Sequence, residues 1–434
     1  MMLPKLKTAV PGPKSRKLAR ALARFESPNV TFLGPPGPIF WKKAADSHVW
    51  DVDGNRYLDL TSAFGVASLG HTPPSVRNSI QRQASSLVHG MGDVHPTELK
   101  VQLLRELSRL TFERWTGGRI QGQSVLGNSG FEAVEIALKT ALLKTGRNRI
   151  VAFHDAYHGV GFGALQATWR GDFRRPFSAQ LRKLSTFLPY PRPGDDLSRL
   201  DRKLSALLKT RKIGAILVEP VQGRGGIVIP PREFLPLLRR ACDRSGALLI
   251  ADEIFTGFWR TGRMFAVEHS GTVPDLICLG KALTGALPLS ACVGKKSVMN
   301  AWPRSRGEAI HTTTFLGNPL ACAAAIASLG AWKRTGWGRQ VNSSGAFLGK
   351  SLRQALGGRT GIREIRGIGL MFGIELAYSG RAARISDHLL RGGILTLPEG
   401  THGEVLAITP PFPISKAELT FAIGRVQRAF DEVA

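Results

Sequence analysis

The sequence predicts an α/β protein built on a mostly parallel sheet, and three observations carry that prediction. The apolar runs at 213–218, 247–251 and 276–279 have the length and composition of strands buried on both faces. A helix-patterned stretch at 232–244, with Phe234, Leu237, Leu238 and Ala241 on one side, separates the first two runs as a crossover would. Each run stops on residues that carry chemistry: Glu219, then Asp252, then Lys281. Ligands of such sheets gather at the carboxyl ends of the strands.

Bulk properties bound the rest. A length of 434 residues allows one large domain with a smaller lobe, and 43% hydrophobic with 21% charged residues fits a globular protein. No apolar run reaches the ~20 residues of a membrane-spanning helix. Cys242, Cys278, Cys292 and Cys322 lack metal-ligand spacing and read as reduced core residues of a cytoplasmic protein. The net charge of +27 favours anionic partners and keeps nucleic acid open as a rival reading. The basic residues read as scattered, without a nucleic-acid motif. Seven Lys or Arg and no acid fall in the first 25 residues, with a short amphipathic helix expected at 15–25. That arm is expected to pack on a partner subunit.

Residues 49–60 alternate around Asp53-Gly54-Asn55, a hairpin signal. The segment 128–143 opens with Ser129 and Glu132 at capping-box spacing and continues as a helix. Its N-terminus, with Gly130 allowing close approach, suits a phosphate. Tyr157-His158-Gly159 follows the apolar run 150–153. Asn318-Pro319 precedes a small-residue helix at 320–329. Beyond it the pattern gives a helix at 347–356, two strands within 362–375 and a closing helix at 416–433.

An amine and a carboxylate at neighbouring strand ends suit pyridoxal phosphate, which needs one for its Schiff base and the other to keep its ring nitrogen protonated. Around them, Ala251-Asp-Glu-Ile-Phe-Thr-Gly-Phe-Trp-Arg-Thr-Gly-Arg263 and Pro274-Asp-Leu-Ile-Cys-Leu-Gly-Lys-Ala-Leu283 resemble the class III aminotransferases. The resemblance runs from about residue 34 to 430 and implies a fold-type-I transferase using pyridoxal phosphate. It implies a large cofactor-binding domain at 71–329 and a small lobe from both termini, 1–70 and 330–434.

The same resemblance implies roles. Lys281 would carry the cofactor and move a proton, and Asp252 would hold the ring nitrogen. Ser129, Gly130 and the amide of Phe131 would take the phosphate. Tyr157 would stack on the ring with Ile254 on its other face, and Glu219 would join the cofactor site. Thr314 would reach the phosphate of a neighbouring subunit, which implies a homodimer with shared sites. Phe64 would form an aromatic substrate wall where ornithine-type relatives have Tyr.

Departures from the pattern are as informative. Relatives commonly clamp a carboxylate with arginines where this chain has Val160 and Ala407, and a Glu of the pattern is Arg224 here. Arg224 is therefore expected to bind a substrate carboxylate. The implied activity moves an amino group from an amino acid or ω-amine to a keto acid or aldehyde. A same-fold aminomutase of the glutamate-1-semialdehyde type, or a decarboxylase, stays open, because cofactor motifs do not choose the bond that breaks. A cofactor-free binding protein is the reading that Asp252 and Lys281 together oppose.

Overall fold

A computed structural model describes residues 2–334 and 336–433; Met1 and Ala434, the ends of the expected domain ranges, lie outside them. The chain divides into unit 1, Met1–Pro73 with Gln340–Ala434, and unit 2, Pro74–Arg339. The sequence placed these changes at 70 and 329. The second differs most, because the helix expected at 347–356 begins at Trp337 and runs to Leu356.

Unit 1 opens with the helix Pro13–Phe25, whose first turn is held by a carboxylate from elsewhere in the chain. Asp53 accepts from the backbone N–H of Lys14 (2.7 Å) and Ser15 (2.9 Å) and from the Ser15 hydroxyl (2.6 Å). Strands β1 (Trp41–Ala45), β2 (His48–Asp51) and β3 (Arg56–Asp59) form an antiparallel meander. The turn between β2 and β3 closes on Asp51 Oδ1, which accepts from the N–H of Asp53 and Asn55, and Gly54 supplies the required φ of +85°.

Unit 2 holds the large sheet. Its strands are β4 (Gly122–Gly127), β5 (Arg149–Phe153), β6 (Ser185–Leu188), β7 (Ile213–Val218), β8 (Leu248–Asp252), β9 (Leu276–Leu279) and β10 (Ser290–Lys295). They lie in the order β4-β10-β9-β8-β7-β5-β6. Strands β5 to β9 pair in parallel, and β10 is antiparallel to both β9 and β4. So β4 runs with β9, and the carboxyl ends of β4, β5, β7, β8 and β9 share one edge. The helix Gly130–Thr145 covers this sheet, its Ala133, Val134, Ile136 and Ala137 packing into the core with Leu217, Ile250 and Cys278. Burial on both faces is why β7, β8 and β9 read as unbroken apolar runs.

Unit 1 is completed by β11 (Ile362–Ile368), β12 (Met371–Leu376), β13 (Ile394–Leu395), β14 (Leu397–Glu399) and β15 (Val405–Ile408). Strand β13 pairs in parallel with β3, and β11-β12-β15-β14 form a separate antiparallel sheet. The closing helix is Lys416–Val433. All four cysteines are buried free thiols. Among the described residues no helix is long and apolar enough to cross a membrane, and no cluster of side chains could hold a metal.

Candidate active site

The shared strand edge of unit 2 opens into a cavity of about 230 Å³ whose lining includes Gly130, Tyr157, Glu219, Asp252, Ile254 and Lys281. Lys281 stands one residue, Gly280, beyond β9 and has a φ of +45°, a strained value for a residue with a side chain. Its Nζ stands 4.1 Å from the centre of the Phe255 ring.

Asp252 ends β8 and is buried. Its Oδ1 accepts from the Ile254 N–H (3.1 Å), and its Oδ2 accepts from Nδ1 of His158 (2.7 Å). His158 is itself fully enclosed, its N–H donating to Thr168 Oγ1 (2.9 Å). The sequence reading gave His158 no role. Strand order brings the two together: β8 is separated from β5, whose loop carries His158, only by β7.

Glu219 follows β7 and organises two loops. One oxygen accepts from the Tyr157 N–H and the other from the Gly223 N–H, both at 3.0 Å. Burial pushes its carboxyl up to about 7. The loop after Gly223 is fastened at its base by paired backbone bonds between Gln222 and Val228 and by Gln222 Nε2 donating to His154 O (2.7 Å). Arg224, at the tip, places its guanidinium 4.9 Å from the Tyr157 ring centre and 5.8 Å from that of Phe173.

The phosphate end departs from one expectation. Ser129 does occupy the N-cap of Gly130–Thr145, but its hydroxyl makes no capping bond. Glu132 reaches instead to the N–H and side-chain amide of Asn128. The expected capping box is thus displaced by one residue on one side and absent on the other. Ser129 Oγ is left buried with no hydrogen-bond partner among the described residues. A Cβ on Gly130 would lie 3.1 Å from Ile254 Cδ1, so this glycine permits the Ile254 side chain to close on the helix start. Phe131 packs its side chain against Gly159 and Gly161, where an added Cβ would come within 2.4 Å of it. That packing turns the ring toward the loop and leaves the amide at the helix end.

Two sequence candidates lie elsewhere. Thr314 is exposed and does not line the cavity; its neighbour Thr313 accepts from Asn128 Nδ2 (3.1 Å). Phe64 belongs to unit 1, more than half exposed, at the end of a left-handed run of Ser62, Ala63 and Phe64 with φ of 48°, 48° and 60°. Val160 lines the cavity with an apolar side chain, and Ala407 is buried in β15.

The profile of the aminotransferase class-III family matches residues 34–430. This chain belongs to the class III aminotransferases. Among the relatives, the [LysW]-aminoadipate semialdehyde transaminase of Deinococcus radiodurans is 37% identical over 389 residues, covering 89% of this chain and 84% of its own. The 4-aminobutyrate aminotransferase of Mycobacterium leprae is 34% identical, covering 98% and 97%. The crystal structure of the ornithine aminotransferase of Toxoplasma gondii superimposes with a TM-score of 0.84 at 29% identity, covering 99% of this aminotransferase and 96% of that chain. The aminomutase and decarboxylase alternatives gain nothing from these relatives.

Class III aminotransferases use pyridoxal phosphate, and the residues present in this one fit that cofactor. A buried hydroxyl without a partner stands at a helix N-terminus, where a phosphate is favoured. A buried carboxylate backed by an imidazole faces the same cavity as Lys281.

Proposed function

We propose that the cavity of unit 2 is where this aminotransferase transfers an amino group from an amino acid or ω-amine to a keto acid or aldehyde. The observation that supports this best is Lys281, held at positive φ in one cavity with the buried Asp252–His158 pair. Ser129 Oγ and the amides of Gly130 and Phe131 would hold the cofactor phosphate. Tyr157 and Ile254 would bracket the ring, and Asp252 would keep a proton on the ring nitrogen. When bound, pyridoxal phosphate supplies an electron sink that makes the hydrogen on the amine-bearing carbon removable. Lys281 Nζ would hold the cofactor, and its amine would then serve as the base that moves this proton. Glu219 acts through backbone amides, keeping Tyr157 and the Arg224 loop in place. Replacing Lys281 with Ala should abolish the covalent link to the cofactor and nearly all turnover. A variant that keeps either one contradicts the assignment.

Arg224 is the cation we assign to a substrate carboxylate, through a two-pronged contact. Tyr157, beneath its guanidinium, would fix the approach. Losing a charged hydrogen bond of this kind costs ~1.5–3 kcal/mol, or roughly ten- to a hundred-fold. Arg224→Ala should therefore slow the half-reaction with a carboxylate-bearing donor by that factor and leave a simple diamine donor unchanged. Equal losses for both donors would contradict the placement.

We further place the enzyme in a homodimer and in the cytoplasm. Val88, Met91, Val94, Ile310 and Phe315 are each more than half exposed, an apolar group around the Thr314 loop that favours a partner surface. Four buried free thiols accord with a reducing compartment.

A further inference from the structure

Four side chains of unit 1 stand in a row across adjacent strands. Lys5 and Arg56 exchange both backbone hydrogen bonds (3.0 and 2.9 Å), Arg56 is the register partner of Trp50, and Trp50 is that of Lys43. Residues directly opposite in an antiparallel ladder share a sheet face. The row therefore reads cation, cation, aromatic, cation. Lys7, two residues past Lys5, is on the same side, and the register shift between Trp41 and Lys43 adds Lys42. Together with Asp51 and Gly54, all six line one open cavity of about 450 Å³. The opposite face is core: Val49 and Tyr57, the next register pair, are fully buried.

The charge of this cavity is not balanced within the fold. Its one acid, Asp51, accepts from the N–H of Asp53 and Asn55, the Asn55 side-chain amide and the Tyr57 hydroxyl at 2.7–2.9 Å, and its single charge faces five cations. Among the described residues none of the four lysines forms an ion pair within 4.0 Å. Arg56 spends two donors on the carbonyl of Leu3 and keeps its charge. Like charges directly opposite in a ladder destabilise it. Five cations here repel one another, and a dense anion between them removes that cost.

We propose that unit 1 carries a binding site for a compact oligophosphate, gripped by Lys5, Lys7, Lys42, Lys43 and Arg56. The size of the cavity suits a small ion. Recognition is through phosphates: Trp50 is half-buried, and Lys43 Nζ lies over its ring at 4.7 Å from the centre, which sets a cation where a base would stack. The ligand is either free oligophosphate or the phosphate tail of a nucleotide.

The test is calorimetry on the holoenzyme, whose cofactor phosphate site is already filled, titrated with tripolyphosphate, ATP and a single-stranded oligonucleotide. One tripolyphosphate should bind per chain and weaken as salt rises. ATP should bind comparably if the phosphate tail is the natural ligand, and markedly more weakly if free oligophosphate is; both results uphold the site. Lys7→Gln and Lys43→Gln should each weaken tripolyphosphate about ten-fold with turnover unchanged, since neither lysine belongs to the catalytic cavity. No binding of tripolyphosphate, binding unaffected by both substitutions, or tighter binding of the oligonucleotide would overturn the proposal.

Discussion

The catalytic power assigned to Asp252 depends on a contact with His158. A buried carboxylate needs partners for its oxygens, and Asp252 has one backbone N–H and one imidazole N–H. Removing the imidazole leaves Asp252 under-bonded without removing its charge. His158→Ala should therefore lower turnover roughly ten- to a hundred-fold, with cofactor binding retained, and His158→Asn should recover part of the loss. Asp252→Asn keeps a hydrogen-bond acceptor but not the charge, so its loss should exceed that of His158→Ala. Stopped-flow measurement of the first half-reaction checks the order; equal rates for the two variants would contradict it. Lys281 and Asp252 were singled out from the sequence because each stands where an apolar run stops. His158 was not, because its partner lies 94 positions away and across an intervening strand. Ser129 and Glu132 were misread for a related reason: their spacing fits a capping box, while the Asn128 amides take the Glu132 carboxylate.

At the scale of elements, Glu219 joins the loop after β5 to the loop after β7. Burial pushes this carboxyl to about 7 from 4.5, and burial does the same to Glu253, whose oxygens accept from Thr256 and from the N–H of Ala266 and Val267. A carboxyl raised on folding binds its proton more tightly in the folded state. Its contribution to stability is complete below pH 4.5 and is lost as pH rises through about 7. Melting temperature should fall across that window, and Glu219→Gln, which cannot ionise, should flatten the fall. An unchanged slope in the variant would contradict the buried-carboxylate account. The strands of unit 2 could be read from the sequence because burial on both faces makes them continuous apolar runs. The first half of the helix Trp337–Leu356 could not, because Asn342-Ser343-Ser344-Gly345 masks its apolar period. Packing explains that composition: a Cβ on Gly345 would lie 2.0 Å from Gly369 O.

For the whole molecule, the sequence foretold an α/β architecture with a mostly parallel sheet, and the large sheet of unit 2 has that form. The surplus charge was read as scattered, since Lys5 and Lys7 lie far along the chain from Lys42, Lys43, Trp50 and Arg56 until strand register gathers them. Assembly is the remaining claim at this scale. Ile310 and Phe315 are 65% and 58% exposed in the single chain, so a charge there costs the monomer little. Phe315→Glu should shift sedimentation from dimer to monomer and reduce activity together; a monomeric wild type would contradict the proposed assembly. Every catalytic role rests in the end on Lys281 being the residue that holds the cofactor. Borohydride reduction of the holoenzyme, followed by peptide mapping, tests this directly. The account predicts a single labelled peptide containing Lys281 and no label in Lys281→Ala. A label on any other lysine would contradict it.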